Sequence, residues 1–415
     1  MTKHFLPVLI LVFVLLTPGA LVHAADWGIL TGHNIAEIDS AGNLDNFADG
    51  FAYTGNLIPW VSIPFGSKDN PNGSLYISAG FTLECSSGAL FIPELLRTEF
   101  GYRFGGGTEL HLGRMHYSDP LGFIASGLFD GAQVNMALGG FGNLGIGAWY
   151  TGLLYKKNAR ITMTGHDAGA YYSEFEYADF LGSYFAPRRI MAAIDWEKPD
   201  LSEKFRLIAA IVGQADVSGR DELYHNQYLE VKFVFPFSNF ALDFGGALEF
   251  AEHTDSGDTK FEFSAAGEIE FAWFPATKVQ QRLMLIGRFS SGTLNSSLTA
   301  FVPITMQFQG DILRAKLSGL SMIRLDYTMR PVDSLILNLA DSYFILSDLG
   351  TYFGNPIGRD GHFLGNEISA SVSWSPLSDL QLRLMGGVFL PSWGNADKTN
   401  KPLWRVELTA NLVIF

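Results

Sequence analysis

Apolar and polar residues alternate one by one over long stretches of this chain. Between Lys260 and Phe274 one set is Phe261, Phe263, Ala265, Gly267, Ile269, Phe271 and Trp273, and the other is Glu262, Ser264, Ala266, Glu268, Glu270 and Ala272. A period of two puts the sets on opposite faces of an extended strand. The pattern recurs. Arg97, Glu99 and Arg103 oppose Leu96, Phe100, Tyr102 and Phe104, while Tyr228, Glu230 and Lys232 oppose Leu229, Val231, Phe233, Phe235 and Phe237. Asp243 and Glu249 oppose Leu242, Phe244, Leu248 and Phe250. Near the end, Glu367, Ser369, Ser371 and Ser373 oppose Ile368, Ala370, Val372 and Trp374, and Gln381 and Arg383 oppose Leu380, Leu382 and Leu384.

Each alternating segment runs about 10 to 13 residues, which is the length of a tilted strand crossing a bilayer. Strands of soluble proteins are typically about 5 or 6 residues long. The connectors also alternate in kind. Tight turns read as Gly105–Gly107, Gly139–Asn143, Pro236–Asn239, Pro275–Thr277, Pro331–Ser334 and Pro376–Asp379. Between them lie longer polar connectors at Lys156–Tyr184, Glu252–Thr259, Ser290–Lys316, Ser347–His362 and Pro391–Pro402. Short turns on one rim and long loops on the other mark an all-β, antiparallel, up-and-down transmembrane barrel. About 18 strands are expected if a strand near Trp27–Gly32 is counted, and about 16 otherwise. Leu298–Gln309 is assigned to a loop, because Pro303 makes a poor wall strand.

Composition narrows the class. The chain is 47% hydrophobic, 14% aromatic and only 17% charged, with 45 glycines, where a soluble domain carries about 25% charge. Beyond the N-terminus no apolar run of about 18 residues occurs, so helical spans are excluded and a barrel remains. Residues 1–24 read as a secretory signal peptide: Lys3, an apolar core from Phe5 to Leu16, and a small-residue site at Val22-His23-Ala24. Residues 25–415 then form one barrel domain, expected in a bacterial outer membrane. Outer-membrane lipid surrounds it in that reading. A single cysteine, Cys85, leaves no internal disulfide. The net charge of −14 argues against a nucleic-acid partner, which needs a basic face.

With lipid outside, charge belongs inside, because a charge on the lipid face costs about 2 to 4 kcal/mol at the midplane. Parity therefore assigns Arg97, Glu99, Arg103, Glu109, Arg189, Arg206, Glu230, Lys232, Asp243, Glu249 and Glu262 to the pore lining. Glu268, Glu270, Arg282, Arg288, Arg324, Asp326, Arg330, Glu367, Arg383, Arg405 and Glu407 join them, with His111 and Asp195 on the same face. Two roles are open to these charges: a lattice of cross-strand ion pairs, or ladders that bias the passage of charged solutes. They are compatible, since side chains alone do not fill so wide a barrel. The apolar connector carrying Phe301, Pro303 and Gln307 reads as an inward constriction loop, with rim packing or a wall hairpin as alternatives.

Other chemistry has weak signals. No P-loop, Gly-x-Ser-x-Gly, HExxH or CxxC pattern is present. Glu268 and Glu270 alone make a poor cation site, and His166, Asp167 and Ser173 are a chance grouping for a hydrolase. No enzyme activity, cofactor or metal is expected.

Two segments resemble the alginate-export-type family of outer-membrane porins. The first is Leu112-Gly113-Arg114 … Asp119-Pro120 followed by Leu128-Phe129-Asp130-Gly131-Ala132; the second is Leu364-Gly365-Asn366-Glu367 with the hairpin from Leu380 to Phe389. The resemblance implies an 18-strand barrel passing polar or charged solutes. The chain departs from it in one respect: acids match arginines in the lumen, where an alginate-type pore has a cationic excess. The final strand, Trp404 to Phe415, is similar to the signal read by the barrel-assembly machinery, although Phe415 falls on the face of Glu407. The function expected is passive diffusion of small hydrophilic or charged solutes. The alternative is a surface protein whose long loops bind partners above a largely closed lumen.

Overall fold

The computed structural model describes residues 25–39, 51–66, 71–85, 88–202, 205–292, 298–347, 361–395 and 401–414. Residues 1–24, expected to be a signal peptide, and Phe415 lie outside them. The first half of the wall comprises β1 (Asp26–Asp39), β2 (Phe51–Gly66), β3 (Pro71–Cys85), β4 (Ala89–Arg103), β5 (Thr108–Ser118), β6 (Ser126–Ala137), β7 (Asn143–Tyr150), β8 (Arg189–Ser202) and β9 (Phe205–Asp216). It continues through β10 (Leu223–Pro236), β11 (Phe240–Asp255), β12 (Asp258–Trp273) and β13 (Gln280–Ser290). Two short strands, β14 (Phe308–Gln309) and β15 (Ala315–Lys316), pair only with each other. The wall resumes with β16 (Leu320–Val332), β17 (Leu335–Leu346), β18 (Phe363–Leu377), β19 (Leu380–Leu390) and β20 (Leu403–Ile414).

Each wall strand pairs antiparallel with the next, and β20 pairs with β1, closing an 18-stranded ring. Closure gives every wall strand a neighbour on both sides, which an open sheet in hydrocarbon could not do. The strand near Trp27 is real, so the larger count holds. Leu298–Gln309 lies in the β13–β16 connection, as its proline suggests. One connector is shorter than its polar sequence implies: β11 ends at Asp255 and β12 begins at Asp258. Ser256 and Gly257 both have positive φ, the geometry of a two-residue turn that matches strand twist.

The outer face is apolar. Phe261, Ile269, Phe271 and Trp273 are exposed on it, as are Leu229, Leu248, Leu285, Ile323, Leu384 and Leu408. Stacked rings such as Phe233–Phe244 and Phe240–Phe271 run along neighbouring strands. Asp341 is an exception on this face, held by Asn366 Nδ2 at 2.6 Å. In β4 the two residues Leu96 and Arg97 sit opposite the single residue Ser78 of β3. This bulge reverses the face parity, so Glu99 below it and Glu94 above it both point inward, and Arg97 within it pairs with Glu99.

Candidate functional site

The inner space is shaped by three connections that fold into it from the rim of the long loops. The β5–β6 turn closes on itself through Asp119, whose carboxylate accepts from the amides of Phe123 (3.0 Å), Ile124 (2.9 Å) and Ala125 (2.6 Å). Its tip then crosses the lumen. Leu121 N–H donates to Glu230 of β10, and the Arg288 guanidinium of β13 lies 5.1 Å over the Phe123 ring. Burial pushes the Asp119 carboxyl above its usual range, against those three amides.

The β13–β16 connection folds inward. Phe301 and Ile304 are fully buried, and Tyr228 O–H donates to Val302 O at 2.5 Å. The Val302 amide donates to Glu249 at 2.9 Å. Thr305 joins this loop to the β5–β6 hairpin, its amide donating to Ile124 O at 3.1 Å and its hydroxyl accepting from Ser126 N–H at 2.8 Å. Further along, Glu367 of β18 accepts the amides of Asp311 (2.6 Å), Ile312 (3.1 Å) and Leu313 (2.8 Å). Asp311 pairs with Arg324 at 3.0 Å and accepts from Ser369 at 2.7 Å. Burial raises the Asp311 carboxyl, but Arg324, Ser369 and Arg383 outweigh it and hold it below the usual range. Arg314 reaches Glu407 of β20 at 3.1 Å.

The β7–β8 connection supplies the third piece. Thr164 and Asp167 form a reciprocal cap on the helix Gly165–Tyr172, and Asp167 also pairs with Arg189, which lies 3.1 Å from Asp216. Asp167 is thus a structural partner of Arg189, not a triad member with His166. Arg160 Nη2 donates to Ser126 O at 3.1 Å, and Met306 N–H donates to Arg160 O at 2.7 Å. Together the loops pack Phe123, Ile124, Ile161, Phe301 and Ile304 against Ala193, Ala210, Ala247 and Ala266 of the inner wall. Small wall residues leave the depth that these loops fill.

The charged positions therefore divide. Arg189, Glu230, Glu249 and Glu367 face inward as the alternation places them, yet they are sealed beneath the loops and line no open space. They act as tethers, each satisfying backbone or charge that would otherwise be buried unpaired. Others form ion pairs along the inner wall: Arg97–Glu99 at 2.6 Å with His111 also 2.6 Å from Glu99, Arg103–Glu109 at 2.7 Å and Arg206–Glu197 at 2.6 Å. Arg405–Glu407 closes at 2.6 Å, Arg324–Asp326 at 3.2 Å and Arg282–Asp326 at 3.8 Å. Glu268 is committed to Arg288, so it forms no cation site with Glu270. Glu262 sits 3.7 Å from His253, and Arg330 binds the Asp333 carbonyl near the tight-turn rim. Lys232, Asp243 and Arg383 have no ion-pair partner among the described residues.

Of the loop residues, Phe301 packs on Tyr228 with ring centroids 5.8 Å apart. Gln307 donates to Thr305 Oγ1 at 3.1 Å, and Pro303 is half-buried. They build the obstruction. Its open edge belongs instead to the β5–β6 hairpin: a cavity of about 370 Å³ lies between His116, Tyr117, Ser118 and Pro120 and the wall residues Gln133, Asp195 and Arg206. A second, of about 270 Å³, joins Arg97, Glu99, His111, His116 and Gln133. The hairpin's role and those of Glu94, Asp311 and Arg160 were not read from the sequence. Asp119-Pro120 marks a turn, but nothing local says that the turn bends into the lumen.

No family profile matches the chain, and no curated protein sequence matches it. Solved structures do. Pseudomonas aeruginosa OccK2 (OpdF) aligns with a TM-score of 0.62 at 13% identity, over 94% of this chain and 97% of that one. Pseudomonas aeruginosa OprD aligns at 0.56 and 13%, over 94% and 95%. OpdK from the same organism, solved with vanillate, aligns at 0.60 and 11%, over 94% and 98%. The chain has the fold of these porins. The likeness at porin level stands; the finer resemblance to alginate-export porins finds no counterpart among these neighbours.

Proposed function

We propose that the chain is an outer-membrane channel for passive diffusion of small hydrophilic solutes, with a preference for carboxylates. One observation carries the preference. In most of the ion pairs that line the lumen the arginine is the wetter partner: side-chain exposure is 49% against 9% for Arg97–Glu99, 42% against 8% for Arg282–Asp326, and 45% against 14% for the loop residue Arg314 with Glu407. Arg206–Glu197 and Arg288–Glu268 lean the same way. The numerical balance of acids and bases in the sequence is thus not a balance at the water surface. Acids turn to loop amides and to the wall, and guanidinium groups meet the solute. The exceptions are Arg405 with Glu407, Arg324 with Asp311 and Arg114 with Asp130, in each of which the acid is the wetter partner.

The apolar outer face and the charged inner face support insertion in a membrane with a wet interior. Two of the structural neighbours were solved with carboxylates, OccK2 with glucuronate and OpdK with vanillate, which agrees with the exposed guanidinium groups. Among the described residues, the β5–β6, β7–β8 and β13–β16 connections spend their polar contacts on the wall and on one another, which supports the channel over the partner-binding reading. The test is a reversal potential in a planar bilayer under a KCl gradient. Anion selectivity is expected, weakened by Arg282→Gln; cation selectivity would refute the preference while leaving the channel.

A further inference from the structure

The ring is closed, but one seam is only half zipped. β4 and β5 pair from Thr98–Arg114 to Arg103–Glu109, so Ala89–Arg97 has a strand partner on one side alone. Its free carbonyls are capped by side chains instead. Tyr184 O–H donates to Pro93 O at 2.7 Å, Tyr177 O–H to Phe91 O, and Arg114 Nη1 to Leu95 O. Arg114 is in turn held by Asp130 at 2.8 Å and by Leu153 O at 3.1 Å. Because the β5–β6 hairpin bends into the lumen here, a space opens between its outer face and the inner face of upper β4.

That space is a cavity of about 390 Å³, within the usual size of a small-ligand site. Leu96, Leu128 and Leu154 supply an apolar side, and Lys157, Arg160 and His116 a basic one. Glu94 and Asn158 also line it, but the Glu94 oxygens are taken, one by the Tyr155 amide at 3.2 Å and the other by Asn158 Nδ2. Neither Lys157 nor Arg160 has an acidic partner among the described residues. Lys157 Nζ lies 5.9 Å over the Tyr171 ring. His116 lines this cavity and both lumen cavities beside the hairpin, so the three meet at one side chain.

We infer that the cavity behind the β5–β6 hairpin is a binding site for a short amphiphilic monoanion, its carboxylate on Lys157 and Arg160 and its chain against Leu96, Leu128 and Leu154. The site lies behind the hairpin, meets the lumen cavities only at His116, and does not depend on the channel reading. Two cations without acidic partners beside three leucines fit a head-and-tail ligand better than a fully hydroxylated one, which would leave its hydroxyls facing the leucines.

The test is isothermal titration of the full barrel in nanodiscs with hexanoate, subtracting empty nanodiscs, and with glucuronate as the polar comparison. Hexanoate is expected to bind and glucuronate to bind far more weakly. Lys157→Gln should weaken hexanoate roughly tenfold, the loss of one charge-assisted contact. Ser126→Leu should abolish binding by filling the cavity from the strand face that Leu128 shares. The bonds of Ser126 to Thr305 and Arg160 are made by its backbone N–H and C=O, so this variant should keep the heat-modifiable gel mobility of a folded barrel. Absence of hexanoate binding to the unmodified protein overturns the inference. So does binding unchanged by Ser126→Leu in the folded barrel, or glucuronate bound as tightly as hexanoate.

Discussion

A side chain's face was legible in this sequence; its solvent was not. Period-two alternation places Arg189 and Glu367 inside, and they are inside, but loops remote in sequence decide that both are dry. Removing them should therefore cost stability. Arg189→Met leaves Asp167 and Asp216 buried without their cation, and a loss of about 3 to 5 kcal/mol is expected in urea unfolding. Glu367→Ala strands the amides of residues 311–313; a loss of about 2 to 4 kcal/mol is expected, together with a larger and noisier single-channel current as the loop lifts. Asp341 is the opposite case, a carboxylate on the lipid face. Asp341→Leu should raise the unfolding midpoint, by about 1 kcal/mol in stability, because a lipid-facing acid costs less than a base but still costs.

Among elements, strands follow from local pattern and inward loops do not. The turn at Ser256–Gly257 was hidden by polar neighbours that read as a long connector. The β4 bulge was hidden because Leu96 continues the alternation above it only in sequence, so Glu94 was not counted inside. The two main inward loops should respond oppositely to acid. Asp119 has a folded pKa above its ordinary 3.8, so its contribution is full below that value and lost as pH rises through the raised one. Asp311 has a folded pKa below 3.8, so its contribution is full above that value and lost as pH falls through the depressed one. Hydrogen exchange, corrected for intrinsic rate, should show protection of residues 121–125 growing from pH about 7 to 3 while that of residues 311–314 declines at the acid end. Equal behaviour of both loops would contradict these assignments.

For the whole molecule, strand length, the alternation of short and long connectors and the absence of helical spans sufficed to reach a barrel of about 18 strands, with 16 left open until the strand at Asp26–Asp39 decided the count. Solute preference did not follow from counting charges, because exposure, not number, sets the field a solute meets. The central claim is that loops narrow this barrel without sealing it. The most direct measurement is single-channel recording of the purified barrel in a planar bilayer. Stable ohmic steps, enlarged by Glu367→Ala, are the result expected. A folded, heat-modifiable barrel that stays silent at every voltage, with or without that substitution, would contradict the account.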